Sequence, residues 1–100
     1  MTVGEVRVLV YYATEDLDGA KQAYAEISAE LDLVPGMVGH ELLRSVHDRL
    51  GIVVLSRWAS LAAFQTWETG VAHKDSTAPL RKYRDSRMPT PFGIYQVEAA

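Results

Sequence analysis

Several side chains in this sequence have the chemistry to act on a small molecule. His40, His47 and His73 can take or give a proton near neutrality, because an unperturbed imidazole titrates at about 6.5. His73 follows a predicted helix end beside Lys74 and Asp75, where it is either a general base or a solvated residue. His40 sits mid-strand next to Glu41, and lines a pocket if it faces helices or an interface if it does not. His47 falls in a predicted turn and is expected in solvent. Tyr11, Tyr12, Tyr83 and Tyr95 can donate to a developing oxyanion, or cap a core with the hydroxyl at its rim. Phe64 and Trp67 offer flat apolar surface, either as a pocket wall or as packing between helix and sheet. Arg81, Lys82, Arg84 and Arg87 are either a solvated surface or a rim that attracts an anionic phenolate or carboxylated aromatic. Arg57 interrupts an otherwise apolar strand and calls for a carboxylate, for which Glu41 is the expected partner. The histidines lack metal-binding spacing and cysteine is absent, so no metal is expected. There is no glycine-rich phosphate loop and no Gly-x-Ser-x-Gly elbow.

These residues need elements to place them. Val3 to Tyr12 is β-branched and aromatic and predicts a strand. Thr14 is the expected cap of a helix whose apolar stripe runs through Leu17, Ala20, Tyr24, Ile27 and Leu31 and which Pro35-Gly36 ends. Met37 to Ser45 and Leu50 to Trp58 predict two more strands around a polar turn. Ser60 caps a predicted helix from Leu61 to about Thr69, with Gly70 as its stop. Ala78 to Tyr83 predicts a short helix with Pro79 in its first turn, and Phe92 to Glu98 a last strand. The order βαββαβ is the ferredoxin-like α+β arrangement, a four-stranded antiparallel sheet with both helices on one face.

The 100 residues suit a single domain, 1–100. No apolar run approaches a membrane span and no signal peptide is visible, so a cytoplasmic protein is expected. A net charge of −3 argues against broad nucleic-acid binding. Both faces of the strands are apolar: Val8, Val10, Ile52 and Val54 alternate with Leu9, Tyr11, Val53 and Leu55. Helices on one face leave the other bare, which predicts a homodimer stacked sheet on sheet.

Three stretches carry a resemblance: Pro35-Gly36-Met37-Val38-Gly39-His40-Glu41-Leu42-Leu43-Arg44-Ser45, Val54-Leu55-Ser56-Arg57-Trp58-Ala59-Ser60, and Phe64-Gln65-Thr66-Trp67-Glu68 with Ala72-His73-Lys74 beyond it. The chain resembles the antibiotic biosynthesis monooxygenase family. The resemblance implies a dimeric α+β barrel. It also implies an activity drawn from cofactor-independent oxygenases of phenols and anthrones, quinol oxygenases and haem-degrading enzymes. The haem branch implies an Asn on the first strand, a Trp on the second helix and a His about ten residues later. Trp67 fits, but the chain has no Asn, Thr77 stands ten residues on, and His73 only six.

The reading is therefore a cofactor-independent monooxygenase acting with O2 on an aromatic, polyketide-, anthrone- or quinol-like molecule between helices and sheet. Trp67 and His73 are the catalytic candidates, and Tyr12, His40, Phe64, Tyr83 and Arg81 the substrate-binding candidates. A non-redox polyketide cyclase or isomerase, or a small-molecule-binding dimer, is the alternative. Fold alone does not choose among them.

Overall fold

The computed structural model describes residues 3–70 and 77–100. Four strands, β1 (Val6–Ala13), β2 (Met37–Arg44), β3 (Gly51–Trp58) and β4 (Phe92–Gln96), form one antiparallel sheet in the order β2-β3-β1-β4. Helix α1 (Leu17–Leu31) connects β1 to β2, and α2 (Leu61–Glu68) follows β3. A 3-10 helix, Ala78–Tyr83, precedes the loop to β4. The α+β ferredoxin-like order is as expected. No helix among the described residues is long and apolar enough to cross a membrane.

Local chemistry sets the boundaries. Thr14 does not cap α1. Its hydroxyl accepts from the Asp16 N–H, and Asp16 caps the helix by accepting from the Gly19 N–H at 2.9 Å. The carboxylate is the better cap because its charge also complements the positive end of the helix dipole. Ser60 caps α2 as expected, accepting from the Ala63 N–H at 3.1 Å. Gly36 turns the chain into β2 with φ +87, and any Cβ there would lie 2.4 Å from Ala63 Cβ. Only glycine permits both the left-handed turn and this close approach to α2.

Strand register decides which face the helices cover. Val6, Val8, Val10 and Tyr12 pair with Trp58, Ser56, Val54 and Ile52, and most of this set is buried. Ala20, Ala23, Ile27 and Leu31 of α1 and Phe64 of α2 pack upon it. The opposite set is open: Arg7, Leu9 and Tyr11 pair with Arg57, Leu55 and Val53. Leu43 and Tyr95 on the two outer strands are 40% and 57% exposed.

Arg57 does not find Glu41. The register shift between Met37 and Gly39 sets Glu41 opposite Leu55 and Gly39 opposite Arg57. The Arg57 guanidinium lies along Gly39, in space a Cβ would fill at 2.9 Å. Among the described residues neither Arg57 nor Glu41 forms an ion pair.

Candidate functional site

A cavity of about 150 Å³ lies between the helices and the sheet. Val8, Val10, Tyr12, Val54, Ser56 and Trp58 give its floor, and Ile27 and Leu31 one wall. Phe64, Trp67 and Glu68 of α2 give another, and Met37, Thr77, Arg84 and Phe92 complete the lining. The alternation of β1 and β3 aims every second side chain inward, and the stripe spacing of α2 brings Phe64 and Trp67 to the same side.

The cavity has an aromatic group and a polar group. Trp58 stacks at 5.2 Å from Trp67 with a 34° tilt, and meets Phe64 edge-on at 5.4 Å. The Trp58 indole N–H donates to Ser56 Oγ at 2.9 Å, so this buried ring has no stranded donor. Tyr12 stands elsewhere on the floor, only 7% exposed. Burial pushes its phenol up to about 12, against the opposing pull of the Arg84 and Arg81 charges. Tyr12 is therefore a neutral hydroxyl at physiological pH, with a proton to donate in a hydrogen bond. Arg84 forms a backbone bridge with Tyr12 and lines the same cavity. Glu68 contributes the carboxylate in the lining.

The sequence candidates divide. Tyr12, Phe64 and Trp67 line the cavity. His40 faces the helices but is not in the lining. Its Nδ1 bonds the Tyr24 hydroxyl and its Nε2 lies 2.6 Å from Asp32 Oδ1, a chain that ties α1 to β2. Tyr83 packs on α1, its hydroxyl 2.7 Å from where a Cβ on Gly19 would sit. Arg81 is exposed on the 3-10 helix and reaches Tyr12 through its charge, not as a lining residue. His73 lies outside the described residues. Sequence reasoning passed over Trp58 and Glu68 as site residues, and weighed Arg84 only within a basic group read as either solvated surface or rim. The alternation of β3 was the available signal for Trp58, since it shares a face with Val54 and Ser56. Nothing separated Arg84 from its basic neighbours, because the extended backbone that sets this exposed residue at the cavity rim is fixed by the contact with β1.

Fold and cavity together define an α+β protein with an aromatic-lined pocket under its helices. The family model described as antibiotic biosynthesis monooxygenase matches residues 6–78, and the chain belongs to that family. No curated protein sequence matches it. Among solved structures it is similar to SnoaB, a cofactor-independent oxygenase from Streptomyces nogalater, with 19% identity, TM-score 0.77, and coverage of 98% of this chain and 97% of that one. The N63A mutant of SnoaB gives TM-score 0.79 at 18% identity, covering 98% and 97%. A putative antibiotic biosynthesis monooxygenase from Caulobacter crescentus gives 0.71 at 18% identity, covering 99% and 92%. At these identities the structural likeness speaks for the fold.

Proposed function

We propose that this protein is a cofactor-independent monooxygenase of a small hydroquinone-like aromatic. The observation that carries the reading is the two-ended cavity, with Trp58, Phe64 and Trp67 in one group and Tyr12 with Arg84 in the other. Its size narrows the substrate. A cavity near 150 Å³ takes one aromatic ring of about benzene's size, and a fused second ring would extend toward the opening. A one- or two-ring quinol fits better than a three-ring anthrone.

The chemistry then belongs mainly to the substrate. A base removes a hydroxyl proton from the quinol, and the electron-rich anion passes one electron to O2. The radical pair joins at the adjacent ring carbon to give a hydroperoxide. Loss of water from that hydroperoxide leaves a hydroxyquinone. Quinol and O2 thus become hydroxyquinone and water, with no outside reductant. Tyr12 and Arg84 stabilise the anion, and the aromatic walls orient the ring and exclude water. Glu68 in the lining and His73 from the sequence are the candidates for taking the proton.

A second copy of the chain covers the open sheet face in this reading. Leu9, Val53, Leu55 and Leu43 would otherwise leave an apolar patch in water.

The test is oxygen uptake with 1,4-naphthalenediol, corrected for its autoxidation. The reading expects saturable uptake above the uncatalysed rate and a hydroxyquinone product. Uptake no faster than buffer across one- and two-ring quinols would reject it.

A further inference from the structure

The loop carrying Arg84 is gripped from two sides by a single guanidinium. Arg87 Nε donates to Asp85 Oδ1 and its Nη2 to Asp85 Oδ2, both at 2.9 Å. The same Nη2 donates to Asp48 Oδ2 at 2.6 Å. The Arg87 backbone N–H adds a third bond to Asp85 Oδ1 at 2.9 Å. Asp85 is 6% exposed, and its own N–H donates to the Tyr11 carbonyl at 3.2 Å. Asp48 belongs to the β2–β3 turn and is itself fixed. Its N–H donates to Ser45 Oγ, and its Oδ1 accepts from the Leu50 N–H, both at 3.0 Å. A continuous set of bonds therefore runs from that turn through Arg87 to the backbone of β1.

Arg84 is one residue before Asp85, on extended backbone with φ −51 and ψ 135. Neighbouring side chains on such backbone point to different sides. Asp85 reaches for Arg87, while Arg84 lines the cavity beside Tyr12. Arg87 and Asp48 are 49% and 43% exposed, so that pair adds little stability, whereas the Asp85 side chain is 7% exposed and needs the guanidinium as its partner. The forked geometry fixes position, because two parallel N–H bonds define an orientation that one charge cannot. We propose that Arg87, held by Asp85 and Asp48, is a positioning residue that keeps Arg84 on the cavity rim and so makes the cavity select ionised over neutral aromatic ligands. This rests on the reading of the cavity as a quinol-type site. It adds the device by which that site chooses a charge state.

The experiment titrates two probes into the full-length protein and follows quenching of the cavity tryptophans. One probe is 2-hydroxy-1,4-naphthoquinone, an anion at neutral pH. The other is its uncharged methyl ether. Wild type is expected to bind the anion about tenfold more tightly, the weight of one charge-assisted contact. Arg84→Gln should abolish that preference. Arg87→Ala should lower anion affinity roughly five- to tenfold and leave the ether within about twofold of wild type. Asp48→Asn changes only the exposed turn side of the grip and should give a smaller loss of the same kind. It stands in if Arg87→Ala does not fold. A merely structural role for Arg87 would weaken both probes together, and that result overturns the proposal. It is also overturned, with the quinol reading intact, if Arg84→Gln loses the preference while Arg87→Ala and Asp48→Asn keep it. Wild type binding neither probe would overturn the quinol reading as well.

Discussion

Arg84 and Tyr12 face each other across a backbone bridge, and both side chains line the cavity that Phe64 and Trp67 also line. The pair sets a donor and a positive charge in a pocket whose remaining lining is largely apolar. A neutral ligand gains little from such a pair, whereas a ligand oxygen that becomes negative gains most in the charged state. Tyr12→Phe should therefore lower kcat for a quinol about tenfold, the loss of one hydrogen bond to a charged oxygen. The fold should be kept, since the ring remains. Because burial holds the Tyr12 phenol protonated, up to about 12, the variant should not move either limb of the pH–rate profile between pH 6 and 9. A shifted limb would make Tyr12 the base.

Trp67 stacks on Trp58 and touches Phe64, so it is at once packing and pocket wall. Trp67→Phe keeps an aromatic surface and should cost little stability, roughly 1–1.5 kcal/mol. Turnover should fall about tenfold as the ring loses its orientation. Melting curves beside kcat and KM separate the two effects. Wild-type turnover in a folded Trp67→Phe protein would remove the residue from the site.

The proton acceptor can be assigned by pH–rate profiles of Glu68→Gln and His73→Ala. The true base should lose its acid limb and at least about 100-fold in kcat. The other variant should keep the wild-type limb. If both retain it, the substrate ionises without help from either.

Acid should loosen the Arg87 grip. The Arg87 hydrogen bonds are the main reason that the Asp48 and Asp85 carboxyls sit below their ordinary range. A depressed carboxyl contributes stability above its unfolded value of about 3.9 and loses it as pH falls through the lower folded value. Melting temperature should therefore stay level from neutrality to about pH 4.5 and fall below it. Asp48→Asn should shrink the acid drop, and an unchanged drop would contradict the assignment.

The open face makes its own prediction. Leu55 stands opposite Leu9 at its centre. On the proposed dimer, Leu55→Arg should give a monomer by sedimentation, because it would bury an unpaired charge in the apolar face of each copy. A monomeric wild type at micromolar concentration would remove the dimer.

The order of elements was legible because the alternating strands and the stripe through Leu17, Ala20, Tyr24, Ile27 and Leu31 are local signals. Which sheet face meets the helices was not legible, since Val8-Val10 and Leu9-Tyr11 are equally apolar, and the register with β3 decides it. The aromatic side of the cavity could be read from Phe64 and Trp67. On the polar side Tyr12 could be read, but nothing singled out Arg84 from the basic group around it. Arg84 depends on a long-range bridge to Tyr12, and His40 is occupied by Tyr24 and Asp32, partners that lie far from it in the chain.

One measurement reaches the centre of the account: mass analysis of the product formed from 1,4-naphthalenediol under ¹⁸O2 by the purified protein with no added cofactor. The account predicts a hydroxyquinone carrying one labelled oxygen atom, formed in proportion to enzyme and reduced in Tyr12→Phe and Trp67→Phe. An unlabelled quinone formed at the rate seen in buffer alone would contradict it.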